Sequence, residues 1–139
     1  MFVIDALIGN PDRHFDNWGL LSRGMDIIFA PVYDCGSSLA ALIDDDRMRN
    51  LLSDPAEFKN EEYNTTSCYH LSGKRVFYHE IFKNPPEGLK DAIRRIVPAI
   101  DMDNVHGIVD AVSVMSDTRK GYLVKALDMR YETILRPAL

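Results

Sequence analysis

The chain reads as a mainly α domain carrying one small β-hairpin, an α+β arrangement. Three observations predict this. Apolar residues recur at helical spacing through the last half of the sequence, and two short apolar runs flank Ser22-Arg23-Gly24 in a hairpin pattern. A length of 139 residues with 46% hydrophobic content suits a single domain, residues 1–139, built round one core.

Met1 to Gly9 sets Phe2, Ile4, Leu7 and Ile8 near one stripe, so a helix is expected there, ending before Pro11. Asp5 lies on the other side of that turn and either orients the following loop or is solvated, the solvated reading being the commoner for an acidic residue on a short helix. A loop over residues 9–17 follows. Trp18-Gly19-Leu20-Leu21 and Asp26-Ile27-Ile28-Phe29-Ala30 then form a hairpin over residues 18–30, with a further loop at 31–37. Antiparallel pairing would bring the two ends of that hairpin to one place.

Ser37 or Ser38 is expected to cap a helix running through Leu39-Ala40-Ala41-Leu42-Ile43, the start of a helical remainder over 38–139. Residues 53 to 74 are polar and mixed and read as loop. Val76 to Phe82 is a short helix or strand stopped by Asn84-Pro85-Pro86. Glu87 to Val97, Met102 to Met115 and Asp117 to Leu135 each present one apolar stripe, with Asp101 and Ser116 as N-caps of the last two.

Charge and composition exclude several classes of function. The net charge is −5 and the pI about 5.3, which argues against a nucleic-acid surface. No stretch approaches eighteen uninterrupted apolar residues, and the start MFVIDALIGN has no basic leader, so neither membrane span nor signal peptide is read and a cytoplasmic location is expected. Cys35 and Cys68 stand alone and suit reduced thiols. His70, His79 and His106 fit no metal spacing, and Asp44-Asp45-Asp46 lacks the glycine and terminal glutamate of a calcium loop.

The chemistry concentrates in residues 9–36. Asp12 and Asn17 lie five apart in Asp12-Arg13-His14-Phe15-Asp16-Asn17. The same separation stands between the base and the metal-binding amide of the protein-kinase catalytic loop. Tyr33-Asp34-Cys35-Gly36, after the hairpin, is the counterpart of Asp-Phe-Gly. Phosphoryl transfer asks for a carboxylate to accept the substrate hydroxyl proton and for hard oxygen ligands on magnesium, and an Asp and an Asn supply the latter. Asp12 is therefore the candidate base, and Asn17 and Asp34 the candidate Mg2+ ligands that would also hold ATP through the metal. His14 and Arg13 are candidate supports of the loop. An Asp-x-His-x-x-Asn hexapeptide arises by chance in roughly one chain in a hundred of this length, so the match carries information.

Gly9-Asn10-Pro11-Asp12-Arg13-His14-Phe15-Asp16-Asn17-Trp18-Gly19, with Ala30-Pro31-Val32-Tyr33-Asp34 behind it, resembles the signature of the C-terminal lobe of HipA-like serine/threonine kinases. More distantly it is similar to phosphoinositide kinases, which carry Asp-Phe-Gly where this chain has Pro-x-Tyr-Asp. The resemblance implies a protein-kinase-like C-lobe using ATP and magnesium. Asp12 would be catalytic and Asn17 and Asp34 would bind metal. The substrate would be a protein Ser or Thr hydroxyl, and the relatives include toxins of toxin–antitoxin modules. No glycine-rich phosphate loop and no Val-Ala-Ile-Lys strand is present, because the eight glycines stand singly. The chain is thus expected to lack an N-lobe and to be inactive alone, with an N-lobe or an antitoxin as partner. The alternatives are a non-catalytic binding or regulatory module and a lipid-kinase fragment.

Overall fold

A computed structural model describes residues 1–139. Helix α1 spans Phe2–Ile8 and a 3₁₀ turn covers Phe15–Asn17. Strands β1 (Leu20–Arg23) and β2 (Asp26–Phe29) follow, then α2 (Asp45–Ser53), α3 (Pro55–Tyr63), β3 (Thr66–Leu71), β4 (Lys74–Phe77), α4 (Tyr78–Lys83), α5 (Glu87–Ile96), α6 (Met102–Asp110) and α7 (Asp117–Arg130). The chain is therefore mainly α, as expected, but it carries two antiparallel hairpins, not one.

Helix α7 is the axis of the core. Its Tyr122, Leu123, Ala126 and Leu127 are buried against Val3, Ala6 and Leu7 of α1, Met48 and Leu51 of α2 and Phe58 of α3. Each Val, Leu, Met or Phe side chain among them removed from water contributes roughly 1.5–3 kcal/mol. Of the expected stripe of α1, Leu7 is buried and Phe2 and Ile8 are partly buried against the core, whereas Ile4 is half-exposed; Val3 and Ala6 complete the buried face. Caps fall where the sequence puts them for the last helices: Asp101 accepts from the Asn104 amide and Ser116 from the Arg119 amide.

Two segments depart from the sequence reading. Residues 37–43 form turns and no helix. Leu39 and Ala40 adopt left-handed φ values of 54° and 53°, and the carbonyls of Ala40 and Ile43 accept from the Arg119 guanidinium of α7 at 3.3 and 2.6 Å. A tertiary donor thus takes acceptors that a helix would use. The helix starts later, at Asp45, with the Asp44 carboxylate accepting from the Arg47 amide at 2.8 Å. The aspartate run is a cap and first turn, where carboxylates favour the positive end of the helix dipole.

Residues 53–74 are ordered as α3 and β3, with only short turns between. Asp54 caps α3 ahead of Pro55, and Ser67 Oγ donates to the Val76 carbonyl across the second hairpin. The polar composition misled because these side chains satisfy backbone groups.

Candidate active site

Helix α1 ends on Gly9, whose φ of 65° is left-handed. A Cβ there would stand 2.5 Å from the Arg130 guanidinium, so glycine serves both the turn and the close approach. Arg130 donates to the Leu7 carbonyl at 3.3 Å and pairs with the buried carboxylate of Glu62, which also accepts from Tyr122. Burial lowers the Arg130 pKa, yet the guanidinium stays charged opposite Glu62. The start of the loop is thereby fixed to α3 and α7.

The loop itself is held by Asp5. Far from being solvated, Asp5 is 1% exposed. It accepts from Asn10 Nδ2 at 3.1 Å and from Arg13 at Nε and Nη2, the shortest contact being 2.9 Å. Arg13 is buried with it, and the Asp5 hydrogen bonds raise its pKa further above its already high ordinary value. Asn10 Oδ1 accepts from the Asp12 amide, and the Asn10 carbonyl accepts from Tyr78 at 2.5 Å. Burial pushes the Tyr78 hydroxyl well up, so it remains a donor.

Arg13 then reaches the other loop. Its Nη1 donates to the Asn17 carbonyl at 2.7 Å and to the Tyr33 carbonyl at 2.5 Å, and Nη2 lies 3.2 Å from Cys35 Sγ. Tyr33 returns the link by donating to the Asp16 carbonyl at 3.1 Å. The 12–17 segment and the 33–35 segment are thus stitched together from both sides. The hairpin between them pairs Leu20 with Phe29 and Arg23 with Asp26, extended by Ala30 donating to Gly19. The turn sits on Gly24-Met25, one residue later than expected.

Asp12 is half-exposed, and its carbonyl accepts from Asn17 Nδ2 at 2.6 Å. That bond orients the buried Asn17 amide and leaves Oδ1 as its free acceptor. Asp34 is exposed and sits in the left-handed region at φ 54°. His14 is exposed; its ring lies 3.7 Å from Asp12 Oδ1, and Nδ1 accepts from the Asp16 amide at 3.2 Å. Asp16 points into solvent.

No three His, Cys, Asp or Glu side chains converge to hold a metal ion. The donor set at these loops is of another kind, one carboxylate and one amide oxygen. That set suits magnesium, which keeps waters and substrate phosphates as its remaining ligands. Sequence reasoning missed Asn10, Tyr78 and also Cys68, whose Sγ donates to the Arg13 carbonyl at 2.9 Å, and it ranked the loop-orienting role of Asp5 below a solvated one. One signal was available for Asp5: a lone carboxylate inside an otherwise apolar heptad, FVIDALI, placed just ahead of an Asp-Arg.

The fold is that of a kinase fragment. The chain superposes on the crystal structure of a proinflammatory kinase of Helicobacter pylori with a TM-score of 0.93 and 36% identity, over 99% of this chain and 52% of that one. That kinase is CtkA. The curated serine/threonine-protein kinase CtkA of Helicobacter pylori (strain J99) is likewise 36% identical over 140 aligned residues, 97% of this chain and 43% of CtkA. The chain is homologous to this serine/threonine kinase and spans less than half its length. No protein-family model matches.

Proposed function

We propose that the chain is the C-terminal catalytic lobe of an ATP- and Mg2+-dependent serine/threonine protein kinase of HipA-like type. The observation that carries this reading is Arg13, which binds Asp5, the Asn17 carbonyl and the Tyr33 carbonyl at once. A fold has little reason to bury a guanidinium between two loops unless their relative position matters. Those loops bear the Asp, Asn and Asp in the order that phosphoryl transfer requires. The left-handed backbone of Asp34 fits the same idea, since residues held in such conformations cluster at functional sites.

In this reading Asp12 accepts the proton of the incoming Ser or Thr hydroxyl. Its half-exposure leaves it open to a substrate, and its backbone is fixed by Asn10 and Asn17. Asn17 Oδ1 and an Asp34 carboxylate oxygen hold magnesium. The metal neutralises charge on the transferred phosphate. Arg13 positions both ligands and touches neither substrate nor metal. His14 braces the 3₁₀ turn that delivers Asn17.

Activity requires a second lobe. The β1–β2 hairpin exposes Leu20, Leu21, Ile27, Ile28 and Phe29 by half or more of their surface or close to it, on both faces of a two-stranded ribbon. An apolar surface of this kind marks an interaction site. It is where the part of a full-length kinase that the chain does not span would pack.

Calorimetric titration of ATP into the chain, with and without magnesium, tests the reading. Magnesium-dependent heat that disappears in Asp34→Ala supports it. Binding that is indifferent to both magnesium and Asp34 overturns it.

A further inference from the structure

Away from these loops, between α4, α5 and the C-terminal turns, lies a cavity of about 440 Å³. Lys83, Lys90 and Arg94 line it, and no aspartate or glutamate side chain does. The chain as a whole carries 21 acidic and 16 basic residues, so a lining of one positive sign runs against its overall charge. A concave site of one sign concentrates counter-ions of the other.

The neighbouring carboxylates leave these cations available. Lys90 lies 2.9 Å from Glu87 and Arg94 lies 3.7 Å from Asp91, both exposed pairs within one helix. Pairs of that kind hold their partners weakly. Lys83 makes no ion pair. Apart from Thr133 the rest of the wall is apolar or aromatic, with Pro85 and Pro137 among its accessible apolar residues, and it includes His79. The His79 ring stacks on Tyr63 with centroids 4.2 Å apart, and its Nε2 is buried without a hydrogen-bond partner. A buried polar atom left unpaired marks a place where a ligand or water is missing.

We propose that this cavity is a second binding site, for a phosphate monoester on a ring-sized apolar body. The phosphate meets Lys83, Lys90 and Arg94, and the body packs on Pro85 and Pro137, which line the cavity without being buried in the core. The volume falls within the roughly 300–1,000 Å³ of small-molecule sites. The site stands apart from the loops that carry Asp12 and Asp34, so it does not depend on the kinase reading.

The test is an NMR titration of the isotope-labelled chain with phenyl phosphate, inorganic phosphate, phenol and a phosphotyrosine peptide. Phenyl phosphate should shift amides of residues 79–94 and 133–138, and Asp34→Ala should change nothing. Lys83→Ala with Arg94→Ala removes two solvent-exposed cations without touching the core. It should weaken phenyl phosphate at least about tenfold, the order of a charge-assisted contact. Phenol should bind at least about tenfold more weakly, because it has no charge to offer. A peptide tighter than phenyl phosphate identifies a phosphorylated protein as the source of the group. Equal affinity identifies a small phosphorylated compound. The proposal is overturned if nothing binds, if phenol matches phenyl phosphate, if the double variant binds unchanged, or if the shifts map elsewhere.

Discussion

Arg13 and Asp5, eight positions apart, close a buried fork in which Nη2 lies 2.9 Å from Oδ1 and Nε 3.1 Å from Oδ2. Asp5→Ala leaves the guanidinium buried and uncompensated, and breaking such a pair costs on the order of 3–5 kcal/mol. The urea midpoint should fall accordingly. Arg13→Lys should also be destabilising, because a lysine cannot serve Asp5 and two carbonyls from one planar group. A midpoint unchanged in both variants would remove the brace.

Gly9 and Gly107 should respond to alanine in opposite directions. Gly9→Ala meets both a left-handed φ and the Arg130 guanidinium, and should cost more than about 1 kcal/mol. Gly107 lies within α6 with open space around its would-be Cβ, so alanine there should stabilise by about 0.5–1 kcal/mol. Thermal unfolding of the two variants side by side checks the contrast.

Much of the fold was legible because it follows local rules. The first helix ends before Pro11, the hairpin follows two apolar runs, and the last helices begin at Asp101 and Ser116, all within the reach of propensity and capping. What escaped depends on distant partners. Residues 37–43 lose their helix to Arg119, some eighty positions away in sequence. Asp5 looked solvated because its partner sits beyond the end of its own helix. The second hairpin hid in a polar stretch whose hydroxyls bond backbone. At the site, Asp12, Asn17 and Asp34 could be read as a spacing, while the residues that fix them, Asp5, Asn10 and Tyr78, carry no motif of their own.

Asp34 should trade stability against binding. It has a left-handed backbone and makes no side-chain hydrogen bond, so Asp34→Gly relieves strain and should raise stability by up to about 1 kcal/mol. The same substitution should abolish magnesium-dependent nucleotide binding. Denaturant titration and calorimetry on one preparation measure both. Equal loss of stability and binding would mean that Asp34 is a structural residue.

His79 gives stability a pH dependence of known sign. Burial lowers its pKa, with Lys83 acting in the same direction and Glu80 against. Between the folded and unfolded values the unfolded state binds more protons, so the contribution is complete above about 6.5 and declines as pH falls below it. In His79→Phe the urea midpoint should therefore drop less than in the parent between about pH 7.5 and about pH 5. A parallel drop in the two proteins would exclude His79 as the source.

The proposed joint metal site of Asn17 and Asp34 is most directly tested by adding manganese and ADP to the isotope-labelled chain and following paramagnetic broadening in its NMR spectrum. Amides around Asn17 and Asp34 should broaden first, and Asp34→Ala should remove that effect. Broadening centred on the exposed run Asp44–Asp46 and untouched by Asp34→Ala would show that the metal follows surface charge, and would contradict the assignment.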